Sequence, residues 1–143
     1  MGNMKYFENM INESLLSLNV AYIGKVLSYS NGKAKIQPLT MIKQYGKSAV
    51  KPSPLPNVPV IDSARYKLKS KTITAVTGVS VSGDKANVTE TKYTVAEPVP
   101  IGAGDIVVCV CCDRDITETK NGNMATPPIG HHSMSDSVVV GIL

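Results

Sequence analysis

Tyr22-Ile23-Gly24-Lys25-Val26-Leu27-Ser28-Tyr29-Ser30-Asn31-Gly32-Lys33-Ala34-Lys35-Ile36-Gln37-Pro38 is the stretch that decides the fold, because here the apolar spacing of the chain falls to two. An Asn-Gly pair between two extended runs is the strongest short-range hairpin signal, since both residues tolerate the left-handed backbone of a tight turn. The stretch therefore predicts a strand over residues 22–29, a turn at Ser30-Asn31-Gly32 and a returning strand over 33–38. Alternation places Ala34 and Ile36 on the core side of the second strand and Lys33, Lys35 and Gln37 on the solvent side.

Upstream of the hairpin the spacing is helical. Met4, Phe7, Ile11, Leu15 and Leu18 recur every three or four residues, with Glu8, Asn12, Glu13 and Ser17 between them, which predicts an amphipathic helix capped by Asn3 and stopped near Asn19. A helix this short needs a docking partner for its apolar stripe, on the rest of the chain or on a neighbouring subunit. Downstream, residues 51–59 hold four prolines and read as an extended arm, followed by a short edge strand at Val58-Pro59-Val60-Ile61. Thr- and Val-rich runs over 72–81 and 88–95 flank Ser82-Gly83-Asp84-Lys85 and predict a second hairpin spanning 72–95. Residues 106–112 form the most apolar strand, expected at the centre of the sheet, and 137–143 the last one. The sum is a mainly β chain: an N-terminal helix in residues 1–20 and, in 21–143, a small OB-type antiparallel β-barrel carrying the proline-rich arm (51–59) and the hairpin (72–95).

Size and composition bound the alternatives. A chain of 143 residues suits one domain, and 43% hydrophobic against 18% charged residues excludes pervasive disorder. With no Trp and one Phe, the filling falls to Val, Ile, Leu and Ala. The longest apolar run, residues 106–112, is far shorter than the roughly 20 residues of a membrane-spanning helix. The first residues lack the apolar segment and cleavage site of a secretory signal. Cys109, Cys111 and Cys112 crowd together without a distant partner, so the expectation is synthesis in a reducing cytosol, with the thiols as small buried hydrophobes.

Charge is segregated. Residues 25–71 carry ten basic side chains against Asp62, a local +9, whereas residues 72–143 carry −4. Lysines on solvent faces and edges, or a basic half of one subunit meeting the acidic half of another, account for this; a footprint for single-stranded nucleic acid is the alternative, with Lys33, Lys35, Tyr29 and Tyr45 as its contacts. His131 and His132 are adjacent and, on an extended segment, point to opposite faces, as do Cys111 and Cys112, so no metal ligand set is assigned. Asp113-Arg114-Asp115 reads as a strand-end turn in which Arg114 bridges carboxylates. Ser133, Ser135 and Asp136 lie near His132 without a nucleophile elbow or a phosphate loop, so no catalytic residue, cofactor or small-molecule substrate is assigned and the chain reads as a non-enzyme.

Five segments, in order, resemble the N-terminal OB domain of the membrane-piercing central tail spikes of contractile-tailed phages and phage-tail-like particles. They are Tyr22-Ile23-Gly24-Lys25-Val26, Leu55-Pro56-Asn57-Val58-Pro59-Val60, Pro100-Ile101-Gly102-Ala103-Gly104-Asp105-Ile106-Val107, Asp113-Arg114-Asp115-Ile116 and His132-Ser133-Met134-Ser135-Asp136-Ser137. The resemblance covers residues 15–143. It implies a structural protein of a virion tail or extracellular tail-like particle, a homotrimer collaring the central spike beneath the baseplate hub and helping envelope penetration. The two histidines stand side by side instead of spaced as the His-x-His of that family's spike tip, and the expectation is that no β-helix follows Leu143. The implied role is therefore collar or adaptor, with a separate spike-tip protein completing the point. Phe7, Ile11, Leu15, Leu18, Leu55 and Val58 are the interface residues expected from the helix stripe and the proline arm.

Overall fold

The structure, a computed structural model, describes residues 2–16, 18–43, 46–124 and 132–143. Its elements are α1 (Gly2–Leu16), β1 (Ala21–Ser30), β2 (Lys33–Pro38), β3 (Leu55–Pro59), β4 (Tyr66–Ser82), β5 (Lys85–Pro100), β6 (Ile106–Cys111) and β7 (Ser137–Ile142), with short 3-10 turns at Asp62–Ala64, Thr119–Asn121 and Met134–Asp136. The fold is mainly β with one N-terminal helix, a curled antiparallel sheet consistent with a small OB-type barrel. The chain divides into two compact units, residues 66–100 and the remainder.

In the larger unit five strands run in the order β3-β2-β1-β6-β7. The β1–β2 hairpin turns on Asn31 and Gly32, both at positive φ (50° and 76°), as a two-residue type I′ connection requires. The centre of the sheet is β1, bonded to β2 on one edge and β6 on the other. The apolar run of β6 sits one place out, a correction to its expected central position; its apolarity reflects alternate burial of Val107, Cys109 and Cys111. Val26, Ile36, Val107, Cys109 and Val139 are fully enclosed, with Tyr22, Ala34, Val58, Val60, Ala64, Ile101 and Cys111 around them. Beyond β3 the chain meets the opposite edge, where Val60 bridges Val139 in parallel and Ile61 N–H donates to Val139 O at 3.1 Å. The two edges of the sheet are thereby joined.

Gly24 is required by that curvature. A Cβ there would lie 2.3 Å from Ile36 Cγ2 and 3.5 Å from the Tyr22 ring, so the missing side chain is the space Ile36 occupies. The turn before β6 is tied down on both sides of it: Gly102 N–H donates to Asp105 Oδ2 at 2.8 Å, Gly104 N–H to Val26 O at 2.9 Å, and Val26 N–H to Asp105 O at 2.8 Å.

Four local expectations are corrected. Asn3 does not cap the helix, because α1 already begins at Gly2 and Asn3 lies within its first turn. Gln37 is buried, not solvent-facing: its Nε2 donates to Pro52 O (2.8 Å) and Pro38 O (3.0 Å), because the start of the proline segment folds back over it. The proline segment is not a free arm throughout, since Leu55–Pro59 is an edge strand on β2. Proline is tolerated there because one edge of β3 has no ladder partner. The second hairpin is longer than expected, running Tyr66–Ser82 and Lys85–Pro100, and no residue of this two-stranded ribbon is buried, so neither face qualifies as an inner one.

Gly24→Val should cost about 1–3 kcal/mol or more, since it overfills a site already in contact. Val58→Asp should cost more than about 3 kcal/mol by burying an unpaired carboxylate. Urea unfolding of both variants against the parent measures this, with Gly102→Ala, which meets open space, as the mild control.

Candidate functional site

The outer face of β1 and β2 carries the sequence-assigned cations. Cross-strand pairing sets Ser28 opposite Lys35 and Ser30 opposite Lys33, so these four share the solvent face. Tyr29 pairs with Ala34, which is buried, and its ring packs against the core. Lys33 and Lys35 are thus brought together, while Tyr29 lies on the other side of the sheet and offers them no stacking platform. That corrects its grouping with the lysines. Tyr45 lies outside the described residues.

A polar seam crosses the otherwise apolar core. Alternation on β6 turns Cys109 and Cys111 inward, and the Tyr22 hydroxyl and Ser137 Oγ share a hydrogen bond of 2.7 Å in the interior. Burial pushes the Tyr22 phenol far above its ordinary range, the Ser137 bond only partly opposing this. Burial likewise raises the Cys109 and Cys112 thiols, and raises Cys111 to about 11. The thiolate is the nucleophile and metal-binding form, so these cysteines are kept in their inert state at neutral pH.

At the end of β6, Arg114 Nε lies 3.3 Å from Asp113 Oδ2, and His132 Nε2 lies 3.4 Å from Asp113 Oδ1. Asp115 turns to Thr117, accepting from its N–H at 2.7 Å and from its hydroxyl, and these bonds hold its carboxyl below the ordinary range. Arg114 therefore pairs with Asp113, while Asp115 shapes its own loop. His132, at φ 49°, donates its N–H to Asp113 O. Ser133 caps the 3-10 turn Met134–Asp136 by accepting from Ser135 N–H, and Cys112 N–H donates to Asp136 O. The segment His132-Ser133-Met134-Ser135-Asp136-Ser137 thus works as a clasp that delivers Ser137 to Tyr22. Among the described residues no three His, Cys, Asp or Glu side chains converge on a metal position; His131 lies outside them.

The helix residues remain uncovered: Phe7, Ile11, Leu15 and Leu18 are 59%, 58%, 60% and 43% exposed. Val58 is 2% exposed and belongs to the core, so its interface assignment is corrected; Leu55 is partly buried against the same core. A second apolar surface was not assigned from sequence. In the ribbon, β4 and β5 slip register between Val76 and Gly78, leaving Thr77 as an extra residue. Beyond the slip Val79 stands opposite Val88 and Val81 opposite Ala86, on the same face as Val76 and Glu90. The Thr77 hydroxyl reaches Thr89 O (3.3 Å) and Thr91 Oγ1 (3.0 Å) on the opposite face. Strict alternation would separate Val76 from Val79; the Gly78 beside Thr77 was the only hint of a bulge.

No family model and no curated protein matches this chain.

Because the folded state holds Cys111 as a thiol up to about pH 11, whereas an exposed cysteine ionises near 9, the folded chain binds more protons between these values. The stability it contributes is complete below pH 9 and is lost as pH rises through 11. Thermal midpoints should therefore fall across this window, and Cys111→Ala, whatever its cost at neutral pH, should flatten the decline.

Proposed function

We propose that the chain is a non-enzymatic structural protein of a phage tail or phage-tail-like particle, acting as the trimeric collar or adaptor of the central spike beneath the baseplate hub. The observation that carries this reading is apolar surface left uncovered by the chain's own barrel. Fully covering a side chain the size of Phe or Leu is worth roughly 1.5–3 kcal/mol, and Met4, Phe7, Ile11, Leu15 and Leu18 all stand exposed along α1 and just beyond it. Such a stripe is suited to a neighbouring copy or to the hub.

Charge segregation is a second support. A basic stretch over residues 25–71 and an acidic balance over 72–143 favour a head-to-tail contact, and a head-to-tail contact closes only as a ring. The order of the five segments resembling tail-spike OB domains adds the number three, and the hub and a separate tip protein as partners. A part that transmits axial force needs hydrogen-bonded strands and interlocked subunits, and its work requires no reacting group.

Light scattering of the purified chain should give about three times 15.2 kDa, with the fraction of trimer rising with concentration. Phe7→Asp with Ile11→Asp should shift the mass toward 15.2 kDa while leaving the unfolding transition of the barrel in place. A chain that stays monomeric at high concentration, and also when mixed with its hub, would sink the collar reading. Tight, salt-resistant binding of single-stranded oligonucleotides would put nucleic-acid recognition in its place.

A further inference from the structure

Lys35 faces an extra residue on each side. On β1, Val26 pairs with Ile36 and Ser28 with Lys35, so Leu27 has no counterpart. On β3, Val58 pairs with Ala34 and Leu55 with Ile36, so Pro56 and Asn57 together face Lys35. Asn57 meets this demand with a left-handed backbone, φ 56°. Bulges bend the strand that carries them and re-aim its side chains, and they gather beside functional sites. Two of them opposite a single residue open the outer face of the sheet at that residue.

The result is a concavity of about 420 Å³ bordered by Ser28, Ser30, Asn31, Lys33, Lys35 and Asn57, with Ala34 and Pro56 at its apolar edge. The residues that line it include two lysines, two serines and two asparagines, and no Asp or Glu. Lys33 and Lys35 are two residues apart on one strand, so their Cβ atoms stand about 7 Å from each other on the same face. Like charges at that spacing repel, and an anion seated between them relieves the repulsion. Lysine serves as a compact point charge toward phosphate, and the hydroxyl and amide groups supply neutral donors for the remaining oxygens. The volume lies within the range of small-ligand sites and exceeds what a lone tetrahedral ion fills.

We propose that this notch between the hairpin β1–β2 and the edge strand β3 is a binding site for a phosphate-bearing small molecule, with Lys33 and Lys35 holding the phosphate and Ser28, Ser30 and Asn57 its surroundings. The phosphate can come from a free metabolite-sized ligand or from the headgroup of an anionic lipid, and the chemistry of recognition is the same.

Two probes separate these sources: inorganic pyrophosphate, followed by calorimetry and amide chemical shifts, and sedimentation with phosphatidylglycerol vesicles, each near physiological salt. The full chain is compared with Lys33→Gln/Lys35→Gln and with Lys47→Gln, an exposed lysine that is not among the residues lining the notch. Saturable one-to-one pyrophosphate binding that moves the amides of Ser30, Lys35 and Asn57 and weakens about tenfold or more in the double variant supports a free ligand. Vesicle binding lost in the double variant but kept in Lys47→Gln, without pyrophosphate binding, supports the headgroup. Binding of neither probe, or equal weakening by Lys47→Gln, overturns the proposal, the second result reducing it to diffuse charge. Unchanged circular dichroism of the double variant establishes that exposed side chains were removed from an intact fold.

Discussion

The parallel bridge between Val60 and Val139 joins the two edges of the five-stranded sheet, and the rest of the larger unit is arranged to permit it. A flat sheet could not bring β3 and β7 together, so the middle strand has to bend. Gly24 gives β1 the room to pass Ile36, and the slip at Leu27 adds twist just beyond it. The turn at Gly102-Ala103-Gly104-Asp105 then bonds to both backbone groups of Val26, bracing the bend from outside. Once the edges meet, Val60 and Val139 are both buried, and the core becomes a closed apolar volume with the Tyr22–Ser137 pair as its internal polar link.

The features legible in the sequence are those dictated by local chemistry. The Asn31-Gly32 turn, the alternation of Ala34 and Ile36, and the helix spacing from Met4 to Leu15 each depend on a few neighbouring residues, and each is present. The features that were not legible depend on distant segments or on broken parity. Gln37 alternates correctly for a solvent position, and it is buried only because Pro52 returns to accept its amide. Val58 looked like part of an exposed arm, yet pairing with Ala34 draws it into the core. Tyr29 shares a basic stretch with Lys33 and Lys35, but its ring packs on the other side of the sheet. Among the site residues, Asp113 and Arg114 were recognisable as a strand-end turn because they pair within the loop itself.

The surfaces left open differ in character, and the difference bears on assembly. The stripe of α1 is aliphatic and aromatic at helical spacing, a form that interlocks with another helix or with a groove. The ribbon offers a strip of Val76, Val79, Val81 and Val88, flat and β-branched, on an element that two strands alone stabilise only marginally. A monomer gains nothing from either surface and risks aggregation through both. On the proposed collar reading, neighbouring subunits would cover both surfaces and remove that risk.

One device recurs in all of this. A single extra residue changes which side chains share a face, at Thr77 to gather valines and on both sides of Lys35 to open a polar notch. Regular alternation would place an apolar and a polar group on opposite faces along a whole strand, so a strand without slips can present only one kind of surface outward. Lys33 and Lys35 share the outer face of β2 by plain alternation, and the slip at Leu27 brings Ser28 and Ser30 to that same face, whereas in the ribbon the slip at Thr77 sets Val79 and Val81 on the face of Val76. The register breaks therefore decide which neighbours join the lysines of β2 and the valines of the ribbon, while alternation within each strand supplies the lysines themselves.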